Sequence, residues 1–195
     1  MPLRAVNTPY FKSDGVRYEQ GDVLRDVTLV QWAEVEDERA INVIERTLPY
    51  SVVVSQECDL EHDFNNRANK EKKTEDKYLQ SLLLCPAYPA ESFRGGKHLE
   101  QLGLRMETIN SDAWKRVVQN NNSRYHHLDR FDDFQIPELV IDFKHYITAP
   151  RDILYQDKFD ACYLATIEIL FRDNLSGRFA HYLSRVGLPD DMASV

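Results

Sequence analysis

The chain has 195 residues, 43% apolar and 11% aromatic, enough to bury a substantial core and to exclude a disordered chain. Its 32 Asp and Glu against 24 Lys and Arg leave a formal charge of −8. That field favours solubility and repels phosphate backbones, so RNA or DNA binding is disfavoured unless a local basic groove overcomes it.

Residues 1–19 mix Pro2, Pro9, Asp14 and Gly15 with few apolar positions and read as a loosely ordered leading segment. Arg4, Lys12 and Arg17 are followed by no continuous apolar run, so neither a signal peptide nor a membrane span is expected. Cys58, Cys85 and Cys162 are odd in number, widely spaced and without a C-x-x-C pair. They read as thiols of a reducing compartment, which points to a bacterial-type cytoplasm and no membrane partner.

From Val23 to Val35, apolar and polar residues interleave as in a strand or hairpin, and the charges of Glu36 to Arg39 suggest a turn. Pro49 opens the next strand, in which Tyr50-Ser51-Val52-Val53-Val54-Ser55 is the best signal for a buried central strand. The stretch from Glu61 to Lys77 has almost no hydrophobic residue and reads as a long polar loop. Gln80 to Cys85 is a further buried strand, closed by Pro86 and Pro89. Residues 88–123 show spacings nearer helix than strand and form an inserted helical segment ended by Asn120-Asn121-Asn122-Ser123.

Arg124 to Leu128 reads as a short strand, Leu139 to Tyr146 as a clearer one, and Ala161 to Ile167 as a continuation of the sheet. Ile167, Leu170, Phe171, Leu175, Phe179, Tyr182, Leu183 and Val186 make one apolar stripe, predicting a helix over about 167–186 with Gly187 at its C′ position and Pro189 beyond. Strands first, a helix last and no β-α-β alternation predict one α+β domain over residues 20–195. Its centre is a small, mainly antiparallel β-barrel or strongly curved sheet.

This order of elements resembles the PemK/MazF toxin family. Gly21-Asp22, the run from Pro49 to Ser55, the strand from Leu82 to Pro86 and the closing Gly187-Leu188 carry the likeness. The resemblance implies a small barrel in a toxin-like or defence system. Were the family's ribonuclease chemistry to carry over, Ser55 would stand at the catalytic hydroxyl with Arg46 as its basic partner. The family's Gly-rich loop between the first strands is replaced here by the acidic stretch Glu34 to Arg39.

Three clusters hold chemistry-bearing residues. The first is Ser55 to His62, where Cys58 is a candidate nucleophile beside Gln56 and Asp59, with His126, His127 or His145 as a candidate base. Its plainer reading is a small buried thiol, with Asp59 capping a turn. Cys58 and His62 also make a metal half-site by spacing, but no Cys₂His₂ pattern completes it and no metal or other cofactor is expected. The second is Gln119 to Arg130, where Arg124 and Tyr125 are candidate binding residues for a base or phosphate, against a plainer turn and edge strand.

The third is the basic edge Arg172, Arg178, His181 and Arg185 on the last helix, set against the plainer role of complementing the helix C-terminus. Asp142 and Lys144 read as a salt-bridged surface pair. P-loop, G-x-G-x-x-G, H-E-x-x-H and G-x-S-x-G motifs are absent from the sequence. The expected function is a binding or regulatory module that meets a protein partner, or less favourably a nucleic acid, through residues 55–77 and 120–130, with a homo-oligomer as a further expectation. The alternative is a hydrolytic enzyme, either an endoribonuclease using Ser55 and Arg46 or a Cys-His thiol enzyme centred on Cys58.

Overall fold

Val52 and Val53, each fully buried, face opposite sides of the sheet around which the chain is built. A computed structural model describes residues 8–37, 40–69, 71, 74–156 and 162–185. The strands are β1 (Tyr10–Phe11), β2 (Asp22–Asp37), β3 (Ala40–Val53), β4 (Ser81–Pro89), β5 (Tyr125–Leu128), β6 (Leu139–Asp142), β7 (Ile147–Pro150) and β8 (Tyr163–Ile167). The helices are α1 (Glu57–Ala68), α2 (Ala90–Arg94), α3 (Ser111–Val118), α4 (Arg151–Leu154) and α5 (Ile169–Leu183). All pairings are antiparallel, in the order β1-β8-β2-β3-β4-β6-β5, with β7 paired to another stretch of β4.

The sheet is strongly curled. Val23, Val52, Cys85, Ala87, Leu139 and Ile141 share one face with Tyr10 near one edge and Leu128 near the other. Leu175 and Phe179 of α5 pack on this inner face. The two edges meet through side chains: Thr8 N donates to Asp129 Oδ2 (2.9 Å), and the Tyr10 hydroxyl donates to the Asp129 carbonyl (3.1 Å). The other face is covered in two places. Leu24, Val53, Leu82 and Leu84 lie under Leu60 of α1 and Leu154 of α4, while Tyr88 and Val140 lie under Phe93 and Val117 of the insertion.

The expected α+β class, curved antiparallel sheet, inserted helices and C-terminal helix are all present. Local details differ. The segment 61–77 is no long loop, because residues up to Ala68 complete α1. Its buried residues are Leu60, Asp63 and Asn66, so its inward face is mostly polar and carries no hydrophobic period. Asp63 accepts from Arg67 Nε (2.7 Å), Leu79 N (2.9 Å) and Arg151 Nε (2.9 Å), which replaces apolar packing with satisfied hydrogen bonds.

Pro86 does not close β4. It falls between the stretch paired with β7 (Ser81–Leu84) and that paired with β6 (Ala87–Pro89), so its missing N–H interrupts neither ladder. β3 begins at Ala40 rather than Pro49, which makes β2 and β3 one long hairpin. Residues 38 and 39 of the expected turn lie outside the described residues, as do Val186, Gly187, Leu188 and Pro189. Within the leading segment, Tyr10 and Phe11 form β1 and Tyr18 is buried, its hydroxyl donating to the Leu154 carbonyl (2.8 Å).

Gly21 opens β2 at φ +88°, where a Cβ would press on Arg172 and Ile167. A glycine is required there both for the dihedral and for the close approach of α5. Among the described residues no helix is long and apolar enough to cross a membrane.

Candidate functional site

A groove of about 1170 Å³ opens between α3, the outer edge of β5 and the first turn of α5. One wall follows from helical spacing: Ser111, Trp114, Lys115 and Val118 line the groove, while Val117 turns inward to the core. Asn110 caps this helix by accepting from Ala113 N (2.9 Å). The opposite wall is Leu170, Phe171 and Asn174 of α5. Leu170 is 77% exposed although it is a large aliphatic residue.

The floor is the outer edge of β5, where side chains meet the backbone groups of His127, the Tyr125 carbonyl and Asp129 that strand pairing would leave open. The Asn120 carboxamide acts as a short strand: its Oδ1 accepts from His127 N (2.7 Å) and its Nδ2 donates to the His127 carbonyl (3.3 Å). Arg178 of α5 donates to the carbonyls of Tyr125 (2.8 Å), Asn122 (2.7 Å) and Asn120. Thr8 Oγ1 accepts from Asp129 N (3.3 Å).

His126 and His127 leave this strand on opposite sides. His126 packs against Phe143, and its Nδ1 accepts from Arg178 Nε (3.1 Å), which assigns the ring proton to Nε2. Burial, reinforced by Arg178 and His127, pushes His126 down to about 3, so it is neutral at ordinary pH. His127 lies edge-on to Trp114 and its Nε2 is 2.7 Å from Glu138 Oε1. The groove lining thus contains one cation, Lys115, and one carboxylate, Asp129, beside neutral amides and apolar surface.

Comparison with known proteins finds no matching family, no similar curated protein and no similar solved structure.

The expected catalytic residues are separated by the sheet. Cys58 is exposed on α1, which covers the outer face, whereas His126 belongs to the inner face beside Phe143. The hydrogen-bonding neighbours of the Cys58 sulfur among the described residues are Gln56 Oε1 (3.8 Å) and Asp59 Oδ1 (3.9 Å), with no imidazole. Asp59 stands in the first turn of α1 beside Glu57, where a carboxylate complements the helix N-terminus. Ser55 Oγ accepts from Leu83 N (2.7 Å), a bond that ties the end of β3 to β4. Cys58 and His62 are four apart on α1, and among the described residues no group of three metal-ligating side chains occurs.

The expected binding residues also have structural partners. Arg124 grips the fully buried Asp142 with both arms, Nε to Oδ1 at 2.8 Å and Nη2 to Oδ2 at 2.6 Å, and lies over the Tyr125 ring. Tyr125 itself packs edge-on against Phe93 of the insertion. Arg46 donates to the Tyr88 hydroxyl (3.3 Å). Asp142 is therefore no surface partner of the Lys144 side chain, because a 3₁₀ turn from Phe143 to His145 ends the strand and only the Lys144 N–H reaches the carboxylate (3.0 Å).

Nearby, His98 lies between the Tyr88 and Phe93 rings with both ring nitrogens buried and without a hydrogen-bond partner among the described residues, and burial pushes it down to about 4. The sequence pattern placed Trp114 and Leu170 in apolar core spacings, set Gln119 at the start of a polar cluster without giving it a binding role, and passed over Asn174. Ile169-Leu170-Phe171 held a usable signal, since three consecutive apolar residues on a helix cannot all face one core.

Proposed function

We propose that this chain is a binding and regulatory module of a bacterial cytoplasm, and that its groove holds an extended peptide segment of a protein partner. The observation that carries the reading is the lining of the groove. Trp114, Val118, Leu170 and Phe171 offer an apolar seat, and the carboxamides of Gln119 and Asn174 stand beside it. A carboxamide presents one acceptor and two donors, the same functions that an extended backbone needs satisfied when it leaves water. With one charge of each sign in the lining, the chemistry suits an uncharged segment with a large apolar anchor rather than a phosphate chain.

The separation of Cys58 from His126 and the engagement of Ser55 by Leu83 favour binding over hydrolysis. Three free cysteines accord with a reducing compartment. The toxin-like or defence setting rests on the sequence pattern alone. The 120–130 segment supplies much of the proposed surface, while residues 57–68 belong to α1 on the other face of the sheet.

Selection of a random-peptide phage library on the immobilised protein tests the proposal. Peptides sharing a large apolar residue should be enriched, and Leu170→Asp or Trp114→Ala should reduce their binding at least tenfold, the cost of burying a charge or losing an aromatic anchor. No enrichment, or enrichment indifferent to both substitutions, rejects the groove as a peptide site.

A further inference from the structure

The β2–β3 hairpin reaches well beyond the sheet that anchors it. β2 pairs with β8 only over Asp22–Leu24, and β3 pairs with β4 only over Tyr50–Val53. From Val27 and Leu48 outward, among the described residues, the two strands form ladders only with each other, and Arg46 reaches back to the Tyr88 hydroxyl. A two-stranded ribbon in water is marginally stable by itself and needs a covered face. The registered pairs say which residues share a face. Thr28 lies opposite Thr47, Val30 opposite Glu45, Ala33 opposite Val43 and Val35 opposite Ile41.

The bulge between Val30 and Trp32 keeps all eight on the same side and sends Trp32 and Ile44 to the other. The face so formed is a strip of β-branched aliphatic residues with Glu45 as its one charge. It is uncovered: Val30 is 59% exposed, Val35 75%, Ile41 67% and Val43 48%, and none belongs to a core cluster.

We infer that this strip is a self-association surface and that two copies of the chain pack their hairpin arms face to face. Three observations favour a second copy as the occupant. The four aliphatic residues leave roughly 400 Å² uncovered, the size of the largest apolar patch on a typical monomer, which is often functional. Doubled in a symmetric contact they supply about 800 Å² of apolar core, and the rim of Ala33, Thr28, Thr47 and Glu45 carries the contact toward the ~1,200 Å² of a stable interface.

The charge pattern agrees. Each copy carries −8 and should repel its like, so two copies can meet only where the surface is uncharged. Antiparallel arms related by a two-fold axis through the middle of the strip set Glu45 of each copy opposite Ala33 and Val43 of the other, so the two carboxylates do not face one another. A lipid surface fits less well, because a chain of net charge −8 is repelled by anionic headgroups. This inference is independent of the peptide groove, which involves no arm residue.

Sedimentation velocity of the full chain at concentrations from about 1 to 100 μM is the test. The wild type should sediment as a dimer at the upper end, and the double substitution Val35→Glu with Ile41→Glu should weaken association at least 100-fold. Circular dichroism should show the variant folded, since both positions are exposed. Mixing that variant with a chain carrying Thr28→Lys and Thr47→Lys, the pair that the two-fold sets opposite Val35 and Ile41, should restore a dimer through opposite charges, a recovery that misfolded chains would not show. A wild type that remains monomeric at 100 μM, or a dimer that persists in the Glu variant, overturns the proposal.

Discussion

Asp22 is a carboxylate in a place that disfavours its charge. It is fully buried, accepts from Thr166 Oγ1 (2.7 Å) and Glu19 N (2.8 Å), and is pushed up to about 7, chiefly by burial and also by Glu19 and Glu57. Unfolded, the same group ionises near its ordinary value of 3.8. Between about pH 4 and pH 7 the folded state therefore holds a proton that the unfolded state has lost, and Asp22 lowers stability as pH rises through that window, by at most about 1.4 kcal/mol per pH unit.

Asp22→Asn removes this dependence. Denaturant unfolding of both proteins at several pH values should show the variant gaining on the wild type from pH 4 to pH 7 and holding a constant difference above. A difference that stays flat across the window would show that Asp22 titrates normally. His126 works in the opposite sense: neutral in the fold and chargeable when unfolded, it costs stability as pH falls below about 6.5 toward about 3.

At the scale of elements, the contrast between α1 and β3 shows what the sequence made legible. Val52, Val53 and Val54 announce a buried strand, because β-branched apolar residues fit both faces of a covered sheet. Helix α5 was legible through Phe171, Leu175, Phe179 and Tyr182, although Leu170 and Leu183 turned out to stand outside the buried stripe. Helix α1 was not legible, since its inward Asp63 finds two of its three donors, Leu79 N and Arg151 Nε, 16 and 88 residues away. No local pattern encodes an acceptor whose donors arrive by tertiary folding.

The same fact gives α1 a fragile point. Asp63→Ala would leave Arg67, Arg151 and the Leu79 N–H without their common acceptor and should destabilise the protein by about 3 kcal/mol, within the range for breaking a buried pair. An unfolding midpoint within experimental error of the wild type would show that these arginines find other partners readily.

For the molecule as a whole, the curl of the sheet matters more than any single element. The barrel-like reading foresaw this curvature from the order of strands, but not the seam, which depends on Thr8 reaching a residue 121 positions away. Asp129→Ala removes both the Oδ2 acceptor for Thr8 N and a groove-lining carboxylate, leaving β1 held at this seam through Tyr10. Amide exchange should then quicken selectively across residues 8–11, with stability reduced by about 1–2 kcal/mol. Unchanged protection there would assign the closure to the packing of Tyr10 on Phe131 instead.

The groove was only half legible for a related reason. Asn120, His126 and Asp129 lie within one stretch of sequence, but Leu170, Phe171 and Asn174 join them only because the last helix folds back across the open side of the curl.

The carboxamide of Asn120 ends the sheet as a ninth strand would, and amides of this kind age. Slow hydrolysis to aspartate would replace the Nδ2 donor with a second oxygen facing the His127 carbonyl. A bond would become a repulsion, on an edge where another chain's backbone could add itself to the sheet. The chemical lifetime of one side chain thus bounds how long the fold can keep that edge closed to strangers.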